Sequence, residues 1–398
     1  MEARTVCFEK YLVTFDFIHY NIVDNANIHA AEKIFKFAVY VNFFIYFHID
    51  IYLCLQVTKT VIKYYFMKKN AKIIGCGLSG VTAAVLLKEK GYHVEIYETR
   101  PHIGGNCADA YVTNTLVHQY GPHIFHTDDE EVYSFLSRYT EWTPFKLQPQ
   151  GETRLGRVSL PYSRKTVSEL GRELSQEEIV EYVFKDYSEK QWGVPFDEIP
   201  KTITNRIPKT ADAADPTWFE GQKYQCIPKE GYSAMFGRML DDITVHLNCA
   251  EDRWAFERTP NDLIVYTGKI DSYFGTIYGE LPYRSLRFEH DVLCEKMDTF
   301  IVNQNNPDTP YTRVYDHSYF TPGHVGPTVV TREYPKACGK NDVPFYPIPW
   351  GEGQETYRLY EALAKAEKDV IFVGRLATYK YLDMWMAVKH VMLKLKDL

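Results

Sequence analysis

The stretch from Lys72 to Asn106, KIIGCGLSGVTAAVLLKEKGYHVEIYETRPHIGGN, constrains this chain more than any other. A short apolar run, Ala71 to Ile74, ends on Gly75, Gly77 and Gly80, and Val81, Ala83, Ala84, Leu86 and Leu87 follow with helical spacing. Strand, tight turn and helix is the reading. In such a turn the first glycine permits the bend and the second lets backbone approach a pyrophosphate. The third lets the helix pack on the strand, so phosphates meet the amides of a helix N-terminus, here around Leu78 and Ser79. A second strand, His93 to Tyr97, delivers Glu98, 23 residues after Gly75. That is near the spacing at which a carboxylate takes the ribose hydroxyls of a dinucleotide. The glycines alone would also fit a structural turn. The strand before them, the helix after them and the acid beyond favour a dinucleotide.

The continuation Arg100-Pro-His-Ile-Gly-Gly-Asn106 narrows the cofactor. A second Gly-Gly turn after the acidic strand resembles the FAD-dependent reductase and amine-oxidase type of Rossmann domain. FAD is therefore expected, held by Gly75, Gly77, Leu78, Ser79, Gly80, Glu98, Arg100, Gly105 and Asn106. The aromatic content, 31 Tyr and 23 Phe, suits flat ligands as well as an ordinary core. A net charge of −7 opposes nucleic acid, which calls for a basic surface, so an anionic ligand would need locally gathered arginines. Eight cysteines with no CxxC pair suggest neither a zinc site nor a disulfide framework, and a reducing, cytoplasmic setting is expected.

Residues 35–57, FKFAVYVNFFIYFHIDIYLCLQV, are apolar for about the length of a transmembrane helix. Asn42, His48 and Asp50 interrupt the run, a near-central Asp costs about 3 kcal/mol on insertion scales, and no small-residue cleavage site follows. No membrane span is expected. Residues 1–66 contain no Gly or Pro, whereas both recur from Gly75 onward, and Met67 sits just before the first strand of the dinucleotide fold. The expectation is that residues 1–66 are a non-functional extension and that Met67 is the natural start.

A strand is expected over Ala110 to Gln119, followed by Tyr120-Gly-Pro-His-Ile-Phe-His-Thr127. His123 and His126 would need a third ligand to hold a metal, and none is near in sequence, so no metal is expected. Both can be satisfied core residues or can line a flavin ring; His123 is a candidate cofactor contact and His126 a candidate catalytic group. Residues 131–145 and 167–190 read as amphipathic helices.

At Tyr187-Ser-Glu-Lys-Gln-Trp-Gly193, and in the blocks KTITNRIP, YQCIPKEGY, YTGKIDSYF, LPYRSLRFE, PYTRVYDHSYF, VVTREYP, FYPIP and VGRLATYKYLDM, the chain from Met67 onward resembles the UDP-galactopyranose mutase family. These flavoenzymes interconvert the pyranose and furanose forms of UDP-galactose. The resemblance implies that Arg206 and Arg313 clamp the diphosphate, with Arg284 a third candidate. It further implies that Tyr346 and Tyr381 hydrogen-bond the phosphates, Tyr187 stacks on uracil, Trp192 lies by the galactose and Asn303 joins the substrate site. Arg375, with Asp383 and Met384 after it, would stand near the flavin. Guanidinium groups suit the task because they meet phosphate oxygens with paired donors in a fixed fork.

No Ser-His-Asp or Cys-His motif and no glycosidase-like carboxylate pair stands out, so the nucleophile must come from elsewhere. The resemblance implies that reduced flavin attacks the anomeric carbon through N5 and expels UDP. The sugar then opens as an iminium and recloses through its other hydroxyl. The protein need only orient the sugar and stabilise charge on the leaving diphosphate. An FAD-dependent oxidoreductase of the amine-oxidase type and a non-catalytic flavoprotein remain the alternatives.

Two departures from the family stand out. Only 25 residues separate Pro161 from Tyr187, where bacterial relatives insert a several-helix domain that makes much of their dimer contact. A monomer, or a dimer unlike the bacterial one, is expected. Where relatives usually have Asn-Tyr-Phe, this chain has Asp215-Pro-Thr-Trp218-Phe219, which makes Trp218 a candidate sugar or uracil contact. The expected fold is α/β: a FAD-binding Rossmann-type domain with a small helical domain and an antiparallel sheet domain. Its expected parts are the extension 1–66, the Rossmann core 67–130, helical residues 131–205, the antiparallel sheet with interleaved segments 206–365, and a return to the cofactor domain at 366–398. Blocks 263–290 and 309–334 are expected in the antiparallel sheet, with turns at Pro307-Asp308 and Thr321-Pro-Gly323.

Overall fold

The structure, a computed structural model, describes residues 69–205, 214, 216–249, 258, 259 and 261–398, with isolated positions 33, 36 and 37. The expectations placed on the apolar run at 35–57, on Met67, on Arg206 and on Asp215 fall wholly or almost wholly outside them. The chain divides into residues 1–68 and 69–398, and the second unit carries everything below.

Strand Asn70–Ile74 runs parallel to His93–Tyr97 on one side and to Asp262–Tyr266 on the other. Thr244–His246 and Val370–Phe372 extend the sheet outward, giving five parallel strands. Helix Leu78–Glu89 buries most of its surface, because Val81, Ala83, Ala84, Val85 and Leu87 sit among the sheet, the C-terminal helix Met384–Lys394 and Phe236. The final strand joins this sheet and the final helix packs into its core.

One expectation needs correction. Residues 263–266 belong to the parallel sheet, not the antiparallel one. Asp262-Leu-Ile-Val-Tyr266 is nearly all buried, the continuous apolar run typical of a parallel strand covered on both faces.

The second sheet has seven strands, in the order Tyr346–Pro347, Tyr283–Leu293, Thr328–Ala337, Arg313–Asp316, Ile301–Asn305, Gln150–Thr153 and Gly156–Ser159. Pairing is antiparallel except where Ile301–Asn305 runs beside Gln150–Thr153. The connections at Pro307-Asp308 and Thr321-Pro-Gly323 fall between its strands, as the turn residues indicated.

Elsewhere local signals shorten the expected elements. The single strand expected at 110–119 is a hairpin, Asp109–Val112 with Thr115–His118, whose turn residues Thr113 and Asn114 both take positive φ. The helix expected over 131–145 stops at Ser137, and Trp142–Pro144 is extended, as the residue before a proline prefers. The stretch 167–190 breaks at Gly171 (φ 70°). It restarts at Ser175, whose capping box with Glu178 opens Gln176–Ile179, widens into a π-helical turn over Val180–Lys185, and resumes as helix Asp186–Trp192. Val158, Leu160, Ile179, Val183 and Phe184 form its core. Among the described residues no helix is long and apolar enough to cross a membrane.

Candidate active site

Gly75, Gly77, Leu78, Ser79, Glu98, Arg100, Gly105, Asn106, His123, Arg375, Asp383 and Met384 line one cavity of about 350 Å³. Gly80 lies beneath it, against the Gly75 carbonyl. The two glycine turns face each other so closely that a Cβ on Gly105 would come 2.8 Å from the Gly77 Cα. Bare backbone on both sides is a cradle for a pyrophosphate. Glu98 accepts from the Cys76 amide at 2.8 Å and the Arg100 amide at 2.9 Å, which fixes its carboxylate at the strand end. Thr267, Gly268, Lys269, Lys340 and Asp342 also line the cavity, although sequence reasoning assigned them no role. The usable signal was a third buried apolar strand ending in Thr-Gly.

His123 donates from Nδ1 to the Gly121 carbonyl at 2.8 Å, and its amide donates to His118 Nδ1 at 3.1 Å. The His118 amide in turn donates to His317 Nδ1 at 3.2 Å. Burial, then Arg375, pulls the His123 pKa down to about 4; burial, then His290, pulls His317 down to about 3. Burial also holds His118 well below the usual range. All three are neutral at pH 7. Because the unfolded chain takes up these protons near pH 6.5 and the native state does not, stability is full above that pH and falls as pH drops toward 4. Melting temperatures measured between pH 7 and 4 should begin to fall near pH 6.5, above the carboxylate range, and His317→Gln should flatten that first decline. A wild-type profile level down to pH 5 would contradict it.

His126 stands apart from the cavity lining: its ring stacks on Phe219 with centroids 3.5 Å apart, and Nδ1 meets Gln222 Oε1 at 2.7 Å.

Beside the cavity a second group assembles. Arg313 Nη2 lies 2.9 Å from Glu333 Oε2, and Glu333 is fully buried. Asn303 pairs with Arg313 across the strands. Burial, the largest influence, opposes the guanidinium charge, but Glu333 together with Tyr187, Tyr346 and Tyr315 outweighs it and holds the pKa well above the ordinary value. Tyr187 is pushed up to about 12, chiefly by burial, with Arg313, Glu333 and Tyr381 as its electrostatic neighbours. Tyr346 and Tyr381 stack with centroids 5.5 Å apart, and Arg375 lies over both rings. Trp192 is 6.0 Å from Tyr346 and 6.2 Å from Tyr381. Tyr346 and Tyr381, with Trp192 beside them, thus gather at Arg375, which also borders the cavity, while Tyr187 links Arg313 to Tyr381.

Residues 182–381 match the family model of UDP-galactopyranose mutase, and residues 73–139 match that of an NAD(P)-binding Rossmann-like domain. The chain belongs to the UDP-galactopyranose mutase family. It is 34% identical over 360 residues to "Probable UDP-galactopyranose mutase" of Klebsiella pneumoniae, covering 81% of this chain and 93% of that one. A dTDP-fucopyranose mutase of Escherichia coli is 33% identical, covering 80% and 95%. A crystal structure of reduced UDP-galactopyranose mutase shares the fold, with a TM-score of 0.61 at 13% identity over 83% of this chain and 96% of that one.

Within this mutase-family enzyme, two further candidate substrate contacts, Arg284 and Trp218, have protein partners of their own. Arg284 donates from Nε to the Gln191 carbonyl at 2.8 Å and from Nη2 to the Lys190 carbonyl at 3.1 Å, so its guanidinium caps a helix C-terminus. Trp218 packs against the core of the small helical unit. Sequence reasoning missed Glu333, the ion-pair partner of Arg313, and Trp350, whose ring is 5.1 Å from Trp192.

Proposed function

We propose that this enzyme interconverts UDP-galactopyranose and UDP-galactofuranose using FAD in its reduced form. The observation that carries the reading is the grouping of Arg313, half-buried tyrosines and Trp192 beside a glycine-lined cavity, with Arg375 bordering the cavity and lying over two of the tyrosines. The paired glycine turns and Glu98 fit the pyrophosphate and ribose of FAD. Bound there in reduced form, FAD would supply a nucleophilic N5 for the anomeric carbon.

The chain's own residues then have separate tasks. Arg313, oriented by its ion pair with Glu333, binds the diphosphate and stabilises the charge it gains on leaving. Arg206 is proposed as its partner. Tyr346 and Tyr381 donate to the same phosphates, and Tyr187, held protonated, packs on the uracil. Trp192 shields the sugar from water, with Asn303 beside Arg313 completing the substrate wall. His123, neutral at pH 7, borders the cofactor without adding charge. The similarity to a dTDP-fucopyranose mutase makes dTDP-fucose a second substrate to test. The short span between Pro161 and Tyr187 supports a monomer, or a dimer built on other surfaces, which light scattering would distinguish.

The decisive assay gives UDP-galactofuranose, and separately dTDP-fucofuranose, to dithionite-reduced holoenzyme without oxygen, with products resolved by chromatography. The pyranose form of at least the UDP sugar is expected, with none from the oxidised enzyme. Net substrate oxidation would favour an oxidoreductase, and flavin binding without turnover a non-catalytic flavoprotein; either result overturns the proposal.

A further inference from the structure

We propose that Lys190 is a positioning residue for nucleotide-sugar binding, because its ammonium closes on backbone carbonyls of the hairpin that carries Arg313 and so fixes the Tyr187–Trp192 helix against that arginine. The inference rests on the reading above, in which Tyr187, Trp192 and Arg313 address one ligand.

Lys190 Nζ donates to the carbonyls of Gln304 at 2.8 Å, Asn306 at 2.9 Å, Thr309 at 2.9 Å and Tyr311 at 3.2 Å. Those four residues span one arm of the hairpin, its turn, and the approach to the strand that begins at Arg313. An ammonium has three donors that can rotate, so four convergent carbonyls make a cation seat that a neutral side chain would leave unpaired. A surface lysine would have been solvated instead. Lys190 lies on the same helix as Tyr187 and Trp192. One contact therefore ties the helix to the strand of Arg313.

The surrounding bonds fix the remaining freedom of the helix. Arg284 caps its C-terminal carbonyls, and the Asn305 side chain donates to the Val183 carbonyl in the π-helical turn before it. Asp186, one turn before Lys190, is held by Arg154 at 3.1 Å, so it is not a competing partner that draws the ammonium away from the hairpin. π-helical turns interrupt ordinary register and recur at functional sites. Here the turn precedes Tyr187 directly, and Lys190 holds the register that results.

The test compares wild-type and Lys190→Met holoenzyme in KM, kcat, bound flavin and the Kd for UDP measured by titration calorimetry. Loss of alignment between the uracil and diphosphate contacts should raise KM and the UDP Kd about ten-fold, the scale of one hydrogen-bonded contact to a charged group. kcat at saturation should stay within about two-fold and flavin content should not change, because binding and not the chemical step is affected. Lys190→Gln, which keeps two donors, should give a smaller rise in the same direction, and it replaces the methionine variant if that one does not fold. Unchanged KM and UDP Kd, even with a lower melting temperature, would reduce Lys190 to a structural staple and overturn the inference. A wild-type holoenzyme that neither binds UDP nor turns over either sugar would refute the reading of the site, and this inference with it.

Discussion

Arg313→Ala is expected to lower turnover by about 10²–10³-fold while the purified protein keeps its flavin, the loss typical of removing one preorganised donor from a developing anion. Arg313 is not among the residues lining the cofactor cavity, so flavin content should be indifferent to it. Stability should not be. Glu333 has no exposed surface, and its contact with the guanidinium at 2.9 Å is the charge partner the substitution removes. Breaking one side of a buried ion pair costs about 3–5 kcal/mol, because the remaining charge is left uncompensated. Adding Glu333→Gln to the alanine variant should recover much of that stability and none of the turnover. Denaturant titration and anaerobic kinetics on the same samples separate the two effects. Near-normal turnover in Arg313→Ala would remove the residue from the site.

The parts of this molecule legible in the sequence are those whose signal is local. Gly75, Gly77, Glu98 and Gly105 announce a phosphate cradle because each does its work within a few residues of its own turn. The blocks around Tyr187, Arg313, Tyr346 and Tyr381 were legible through resemblance, and the fold places them together. The bonds of Arg284 to the Gln191 and Lys190 carbonyls were not, since they arise only where Tyr283–Leu293 packs against the Asp186–Trp192 helix. Lys190 was hidden for the same reason: its four carbonyls come from residues more than a hundred positions away. The place of residues 263–266 in the parallel sheet is hidden likewise, because their pairing with Asn70–Ile74 is equally remote in sequence. Residues 167–190 carry the apolar spacing of one helix, but Gly171 ends the first segment in a left-handed conformation and the capping box at Ser175 opens another.

Gly80→Ala should abolish flavin binding and strongly destabilise the protein. An alanine Cβ there would lie 2.0 Å from the Gly75 carbonyl oxygen, 3.1 Å from its carbon and 3.3 Å from Ile73 Cγ2. Neither partner can withdraw. The turn is tied to the neighbouring strands by Gly75 N to the Tyr97 carbonyl at 2.8 Å and Thr267 N to the Ile74 carbonyl at 3.0 Å. The helix is pinned from its other side by buried Val81, Ala83 and Ala84. Overpacking a tight site usually costs about 1–3 kcal/mol, and a clash with main chain on a fixed turn belongs at or beyond the top of that range. Any relief must tilt the helix N-terminus away from the strand, which moves the amides of Leu78 and Ser79 off the pyrophosphate position. Gly91→Ala is the control. Gly91 has φ +82° but nothing within 4 Å of a new Cβ, so only backbone strain of about 1–2 kcal/mol is added and the cradle is untouched. Flavin absorbance per protein and the melting temperature read both variants: Gly91→Ala should keep its cofactor with a modest fall in melting temperature, whereas Gly80→Ala should be colourless and far less stable. A yellow Gly80→Ala protein melting with the wild type would show that the strand and helix are not packed as closely as the third glycine requires.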